Sequence, residues 1–144
     1  MSYSEADVFV ICYSTVDTNS LENVVEKWAK DLLLNKVSNV PKILVGTKTD
    51  LLGNKKIMEQ LKLEGVKCCT VNDAEIVMKK IGAFAHVLCS SLNGENVNLV
   101  FTEICKFIYD RSIRESKAPK KKKIFSSVSK ETLMDQLSDF PMLE

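Results

Sequence analysis

The chain has 144 residues with 20 Lys and Arg against 19 Asp and Glu, a formal net charge of +1 and a sequence pI near 7.6. At 45% hydrophobic and 27% charged, it fits one soluble domain with a single core, and its near-neutral balance supplies no global field toward nucleic acid or membrane. No stretch approaches the roughly 18 apolar residues of a membrane span, and MSYSEADVF carries neither a basic n-region nor a long apolar run, so a cytoplasmic protein is expected.

Val8 to Cys12 (VFVIC) opens the pattern as a short apolar run without alternation, the mark of a parallel strand covered on both faces. A helix follows. Asn19 and Glu22 have capping-box spacing, and Leu21, Val24, Val25, Trp28 and Leu32 fall on one face. Ile43 to Val45 reads as the second strand and ends in Gly46 and the polar turn Thr47 to Asp50. Ile57, Met58 and Leu61 predict a short helix; Ala74, Val77, Met78 and Ile81 predict another, stopped by Gly82. His86 to Cys89 reads as the third strand. The last and longest helix carries Val97, Val100, Phe101, Ile104, Cys105 and Ile108, with the period running to about Arg114.

Alternating strands and helices predict right-handed crossovers and an open parallel sheet, hence an α/β domain. Ligands of such sheets sit beyond the carboxyl ends of the strands, where Thr47 to Asp50 and Ser90 to Leu92 fall. Five cysteines, with Cys12, Cys89 and Cys105 single in apolar runs and Cys68 and Cys69 adjacent, make a disulfide framework unexpected. His86 is the sole histidine and no CxxC spacing occurs, so burial of His86 and the single cysteines is expected over chemistry.

From Ser116 the composition changes to Lys117, Lys120 to Lys123, Pro119 and Ser126, Ser127 and Ser129, the character of a basic tail; residues 1–115 and 116–144 are thus read as domain and tail. Leu133, Met134, Leu137 and Phe140 fall at helical spacing near its end, behind Thr132 and Asp135. Lys120, Lys121, Lys122 and Lys123 are candidates for peripheral contact with anionic lipid, worth about 1 kcal/mol per residue near the surface.

The stretch ILVGTKTDL, Ile43 to Leu51, carries the chemistry. A carboxylate at a strand end accepts two parallel hydrogen bonds from the N1–H and exocyclic amine of guanine, whereas adenine presents an acceptor at N1, so Asp50 would select guanine. The Lys48 stem can lie along the base, and amides after Cys89 can meet the guanine carbonyl. VGTKTDL after a strand, a helical insertion, IGA at a helix end, CSSL after the third strand, and the opening SYSEADVFVICYS with SLENVVEKW together resemble the Rho family of small GTPases, from about Ser2 to Ile108. Thr47 and Leu92 are similar to Rac/Cdc42-like branch variants, and Leu52 to Val66 to the Rho-type insertion helix.

The resemblance implies the last three strands of a Ras-like, P-loop-NTPase-type sheet with flanking helices, and guanine-binding roles for Thr47, Lys48, Asp50, Ser90, Ser91 and Leu92. It implies GTP or GDP as ligand and Rho signalling proteins as partners, with no nucleic acid. The family's phosphate loop and two switches, which hold magnesium and perform phosphoryl transfer, have no counterpart in these residues, so no catalytic residue is named, magnesium is not expected, and GTP hydrolysis by this chain is doubtful. A truncated sequence, a nucleotide-independent binding module and an inert fragment are the alternatives. No Cys stands among Pro141 to Glu144 for a prenylation box. The Val8 to Cys12 strand is expected to form an open, aggregation-prone edge.

Overall fold

A computed structural model describes Tyr3 and residues 5–117. The lysine cluster Lys120 to Lys123, the serines 126, 127 and 129, and the spacing from Leu133 to Phe140 lie outside the described residues. The chain divides into the units Met1–Asp110 and Arg111–Glu144. In the first, three parallel strands, β1 (Phe9–Ser14), β2 (Lys42–Thr47) and β3 (Ala85–Leu88), stand in the order β1-β2-β3. This is the α/β architecture expected of the last three strands of a Ras-like sheet.

Register aligns Val10 with Ile43, Cys12 with Val45 and Gly46 with Leu88. Central strand β2 is buried from Lys42 to Gly46, with Ile43 and Leu44 wholly inaccessible. An unbroken apolar run belongs on the middle strand because both faces are covered, each such side chain contributing about 1.5–3 kcal/mol of burial. Lys42 opens it by spending its ammonium on the carbonyls of Ser38 and Val40, at 2.5 and 3.2 Å. Burial holds that amine below its ordinary pKa.

One face of the sheet receives α1 (Thr18–Asn23), a π-helical turn (Val24–Ala29) and α2 (Lys30–Leu34), which run as one continuous rod. Its start differs from the sequence expectation: Asp17, not Asn19, is the N-cap. Asp17 is extended, with φ −149° and ψ 100°, so its carboxylate reaches the amides of Asn19 and Ser20. Leu21, Val24, Val25 and Leu32 are buried as expected, but Trp28 is 50% exposed. The wider π turn rotates Trp28 off the stripe and onto the rim of a groove beside β1.

Helix α3 (Thr49–Leu52) is a single turn, and α4 (Lys55–Leu63) is capped by the Asn54 side chain on the Ile57 amide and buries no residue fully. Helix α5 (Val71–Ile81) begins with a reciprocal Thr70–Asp73 capping box, buries Ala74, Val77 and Ile81, and stops at Gly82 in the left-handed conformation at φ 65°.

The opposite face carries α6 (Val97–Lys117), three residues longer than its periodicity suggested. Here too the stripe is corrected. Val100 is buried among Ile43, Val45, Val87 and Cys89 with Ile104 packed against them, and Phe107 stacks on Phe84 at 4.0 Å. Phe101, Cys105 and Ile108 are exposed. The inward line is therefore Val97, Val100, Ile104 and Phe107. Cys12, expected to be buried, is exposed as well: α6 packs on side chains of β2 and β3, and the outer strand is left uncovered. Cys89 is buried, as expected.

His86 is half-buried on the other face, its Nε2 2.9 Å from the Tyr13 hydroxyl and its ring stacked on that of Tyr13 at 5.8 Å. Burial holds its pKa below the ordinary 6.5, opposed by the charge of Glu75. The native imidazole is thus kept neutral while the unfolded chain takes up a proton near 6.5, so stability is lost as pH falls through 6.5 toward the folded value. Urea midpoints at pH 7.5 and 5.5 are expected to fall more steeply on acidification for the wild type than for His86→Asn; equal falls would refute this role.

Candidate functional site

Both loops singled out in the sequence lie at the carboxyl ends of β2 and β3, and the fold brings them together. The Thr49 amide donates to the Cys89 carbonyl at 3.3 Å, and Ser90 Oγ donates to Asp50 Oδ1 at 2.5 Å. Ser90 is completely buried, so its hydroxyl is a fixed donor. It aims one carboxylate oxygen and leaves Oδ2 without a protein partner among the described residues. A charge-assisted bond of this kind is about twice as strong as a neutral one.

The strand end is held from β1. Thr15, 2% exposed, donates its hydroxyl to the carbonyls of Thr47 and Lys48, at 2.9 and 3.4 Å. The Thr47 hydroxyl donates in turn to the Tyr13 carbonyl at 2.8 Å. Thr47 therefore brings acceptor lone pairs to the rim, its proton being committed. Lys48 sits in the left-handed region at φ 65°, a conformation costing a non-glycine residue about 1 kcal/mol and more, and its side chain is exposed. The turn displays the lysine while sending Asp50 back toward Ser90.

Around the second loop the amides differ in availability. The Ser90 amide, a candidate donor to the base, is taken by the Glu95 carbonyl at 2.9 Å, and that of Leu92 by Ser90 Oγ at 3.2 Å. The Ser91 N–H has no partner among the described residues. Ser91 is exposed and the Leu92 side chain is 82% exposed. Of the six sequence-derived residues, Asp50 and Ser90 are joined directly by a hydrogen bond, Thr47 is tied to β1 through the Tyr13 carbonyl, and Lys48, Ser91 and Leu92 are exposed.

Sequence reasoning missed three supports: Thr15, Glu95 and Asn96. Glu95 ties the loops twice, through its backbone carbonyl and through a carboxylate that accepts from Thr49 Oγ1 at 3.1 Å. Asn96, at φ 55°, donates its side-chain amide to the Leu88 carbonyl at 3.0 Å. The dipeptide Asn93–Gly94 is a turn signal from which this loop could have been found; nothing in the linear pattern marks Glu95. Because the Thr49–Glu95 bond is exposed, Thr49→Val is expected to cost under about 1 kcal/mol of stability while speeding amide exchange at Leu92. Unchanged exchange there would show that the bond does not order the loop.

The arrangement is a rim carboxylate with one oxygen open among the described residues, with an exposed lysine two residues before it in the same loop and, in the loop that Ser90 ties to it, the Ser91 amide without a partner among the described residues. A family model described as the Ras family matches residues 1–110. The chain belongs to the Ras family of small GTPases. Its relatives place it in the Rho branch. The Rho-related protein racL of Dictyostelium discoideum is 38% identical over 121 residues, which is 84% of this chain and 62% of that protein. The GTP-binding protein rho5 of Schizosaccharomyces pombe is 40% identical over 101 residues, 70% of this chain and 50% of that protein. The GTP-binding protein RHO1 of Eremothecium gossypii is 36% identical over 125 residues, 85% and 60% respectively. The chain thus spans between half and about three-fifths of the length of these Rho proteins.

Proposed function

We propose that this Rho-type chain contributes the base-reading half of a guanine-nucleotide site. Asp50 accepts the N1–H and exocyclic amine of guanine, Ser91 N–H meets the guanine carbonyl, and Lys48 lies along the base with Thr47 and Leu92 at its border. The observation that carries this reading is the Asp50 carboxylate, fixed by Ser90 with Oδ2 open. A carboxylate has about four lone-pair sites, so the Ser90 bond leaves capacity for both guanine donors.

Its partners are then proteins of Rho signalling, in the cytoplasm, with Lys120 to Lys123 giving weak, salt-sensitive contact to anionic membrane. Most ionic contacts to a nucleotide go to its phosphates, and the 144 residues contain no GxxxxGK[ST]. We accordingly assign this chain feeble GTP and GDP binding, with a dissociation constant of about 1 mM, no magnesium site and no hydrolysis. Equilibrium dialysis at millimolar nucleotide is expected to retain GTP over ATP without phosphate release; equal retention of both would refute the base-reading assignment, and measurable turnover the absence of catalysis.

One observation favours a second reading, a nucleotide-independent protein-binding module. Helix α4 buries no residue fully, and Met58, Leu61 and Val66 with Lys62 and Lys67 line an open groove beside it. Stable folding in nucleotide-free buffer with no response to GTP would select that reading.

A further inference from the structure

Cys68 and Cys69 are adjacent, free and half-buried, in the loop that joins α4 to α5. They meet different neighbours. Cys68 lines the groove beside α4 with Met58, Leu61 and Val66. Cys69 faces the turn that follows β1: its thiol lies 3.5 Å from the carbonyl oxygens of both Ser14 and Asp17, and its amide donates to the Thr15 carbonyl at 2.9 Å. Asp17 is the N-cap of α1, so this one residue ties the loop to the end of β1 and to the start of the next helix.

The tie reaches the rim. Thr15 donates its amide to the Thr47 carbonyl at 3.0 Å and its hydroxyl to the carbonyls of Thr47 and Lys48. Thr15 is thus held between Cys69 on one side and the backbone of Thr47 and Lys48 on the other. The Cys69 thiol proton is shared between two carbonyls; a sulfur that has lost it presents lone pairs to two oxygens at 3.5 Å and is pushed off them. Burial, aided by the charges of Asp73 and Asp17 and opposed by the bond to the Asp17 carbonyl, pushes the Cys69 thiol up to about 11. A thiolate forms there reluctantly, so the first attack on an oxidant falls to Cys68.

We propose that Cys68 and Cys69 form a peroxide-sensitive dithiol, whose closure to a disulfide between neighbouring residues loosens the turn 14–17 and, through Thr15, the backbone of Thr47 and Lys48. The Cys68 sulfur attacks one oxygen of hydrogen peroxide and the O–O bond breaks. The departing oxygen leaves as water with the Cys68 thiol proton, and Cys68 becomes a sulfenic acid. The Cys69 sulfur then attacks the Cys68 sulfur: the S–S bond forms, the S–O bond breaks, and the hydroxyl leaves as a second water with the Cys69 proton. Two electrons pass from the two sulfurs to the peroxide. Neighbouring Cα atoms stand about 3.8 Å apart, closer than the roughly 4.4–6.8 Å usual for a disulfide, so the ring is strained and easily reduced again. Strained disulfides are the labile, regulatory kind. Closure takes the Cys69 proton whichever side chain turns, so both thiol contacts with the turn are lost as donations.

This inference does not depend on the nucleotide reading, and its test needs no nucleotide. The full chain is treated with hydrogen peroxide, its remaining thiols are blocked, and it is cleaved with trypsin. Cleavage after Lys67 and Lys79 gives the peptide 68–79, whose only cysteines are Cys68 and Cys69. That peptide is expected to be unblocked and two hydrogen atoms lighter, and to be restored by dithiothreitol. Amide NMR of the oxidised chain is expected to show shifts at Thr15, Thr47 and Lys48, with exchange of the Cys69 amide at least about fivefold faster, as for the loss of one ordinary hydrogen bond. These wild-type readouts need no variant. Cys68→Ser leaves Cys69 its partners on the turn and should show neither response. A peptide that keeps both thiols, carries only added oxygen on its cysteines, or is cross-linked to Cys12, Cys89 or Cys105 would overturn the proposal. So would a closed ring with the Thr15, Thr47 and Lys48 amides unmoved, or the same shifts in peroxide-treated Cys68→Ser.

Discussion

Gly46→Ala is expected to destabilise the protein by about 1–3 kcal/mol, the range for overpacking a well-filled site. A Cβ on Gly46 would lie 2.6 Å from Leu88 Cδ2 and 2.7 Å from Tyr13 Oη. The Leu88 methyl can swing aside. The Tyr13 ring cannot do so cheaply, since it is 3% exposed, stacked on His86 and bonded to it. The strand is buried on both sides, so the backbone of β2 would have to move, and Thr47 and Asp50 with it. For a domain of this size the loss corresponds to a fall in melting temperature of roughly 3–5 °C per kcal/mol. A thermal melt of Gly46→Ala superimposing on that of the wild type would show that the β1–β2–β3 register near the loops is wrong.

Asp50→Ala should remove any preference for guanine over adenine. Two hydrogen bonds to a carboxylate, at a net of about 1.5–3 kcal/mol each, correspond to at least about a hundredfold in affinity. Binding at a millimolar dissociation constant would then vanish from a dialysis experiment. Asp50 is half-buried, and its removal also leaves the inaccessible Ser90 hydroxyl without its acceptor. Ser90→Ala supplies the comparison: it keeps the carboxylate but frees its orientation, so a smaller loss of about tenfold is expected. Retention of the guanine preference in Asp50→Ala would contradict the assignment of the base edge.

The parts of this fold visible in the sequence are those set by local rules. VFVIC, ILV and HVLC read as strands because buried parallel strands need no alternation, and Gly82 ended α5 because a left-handed residue was required there. The hydrogen-bonded rim was readable only as two loops that would meet. That Ser90 points at Asp50, forty residues away, depends on the pairing of β2 with β3. Tyr13 and His86 meet across the intervening strand, which no linear pattern encodes. Trp28 was misplaced for a local reason of another kind, since a π turn breaks the 3.6-residue period used to read the stripe. Cys12, Phe101 and Cys105 looked like core because their spacing is apolar and regular; periodicity reports what a face can bury and is silent on what is there to cover it.

The central claim, that these loops read guanine, is tested most directly by two-dimensional amide NMR of the chain titrated with GDP and, separately, ADP to several times the expected millimolar dissociation constant. The account predicts shifts for GDP confined to Thr47 to Asp50 and Ser90 to Leu92, with the Ser91 amide moving most, and none for ADP at equal concentration. Equal shifts with both nucleotides, or silence at those amides throughout the GDP titration, would contradict it.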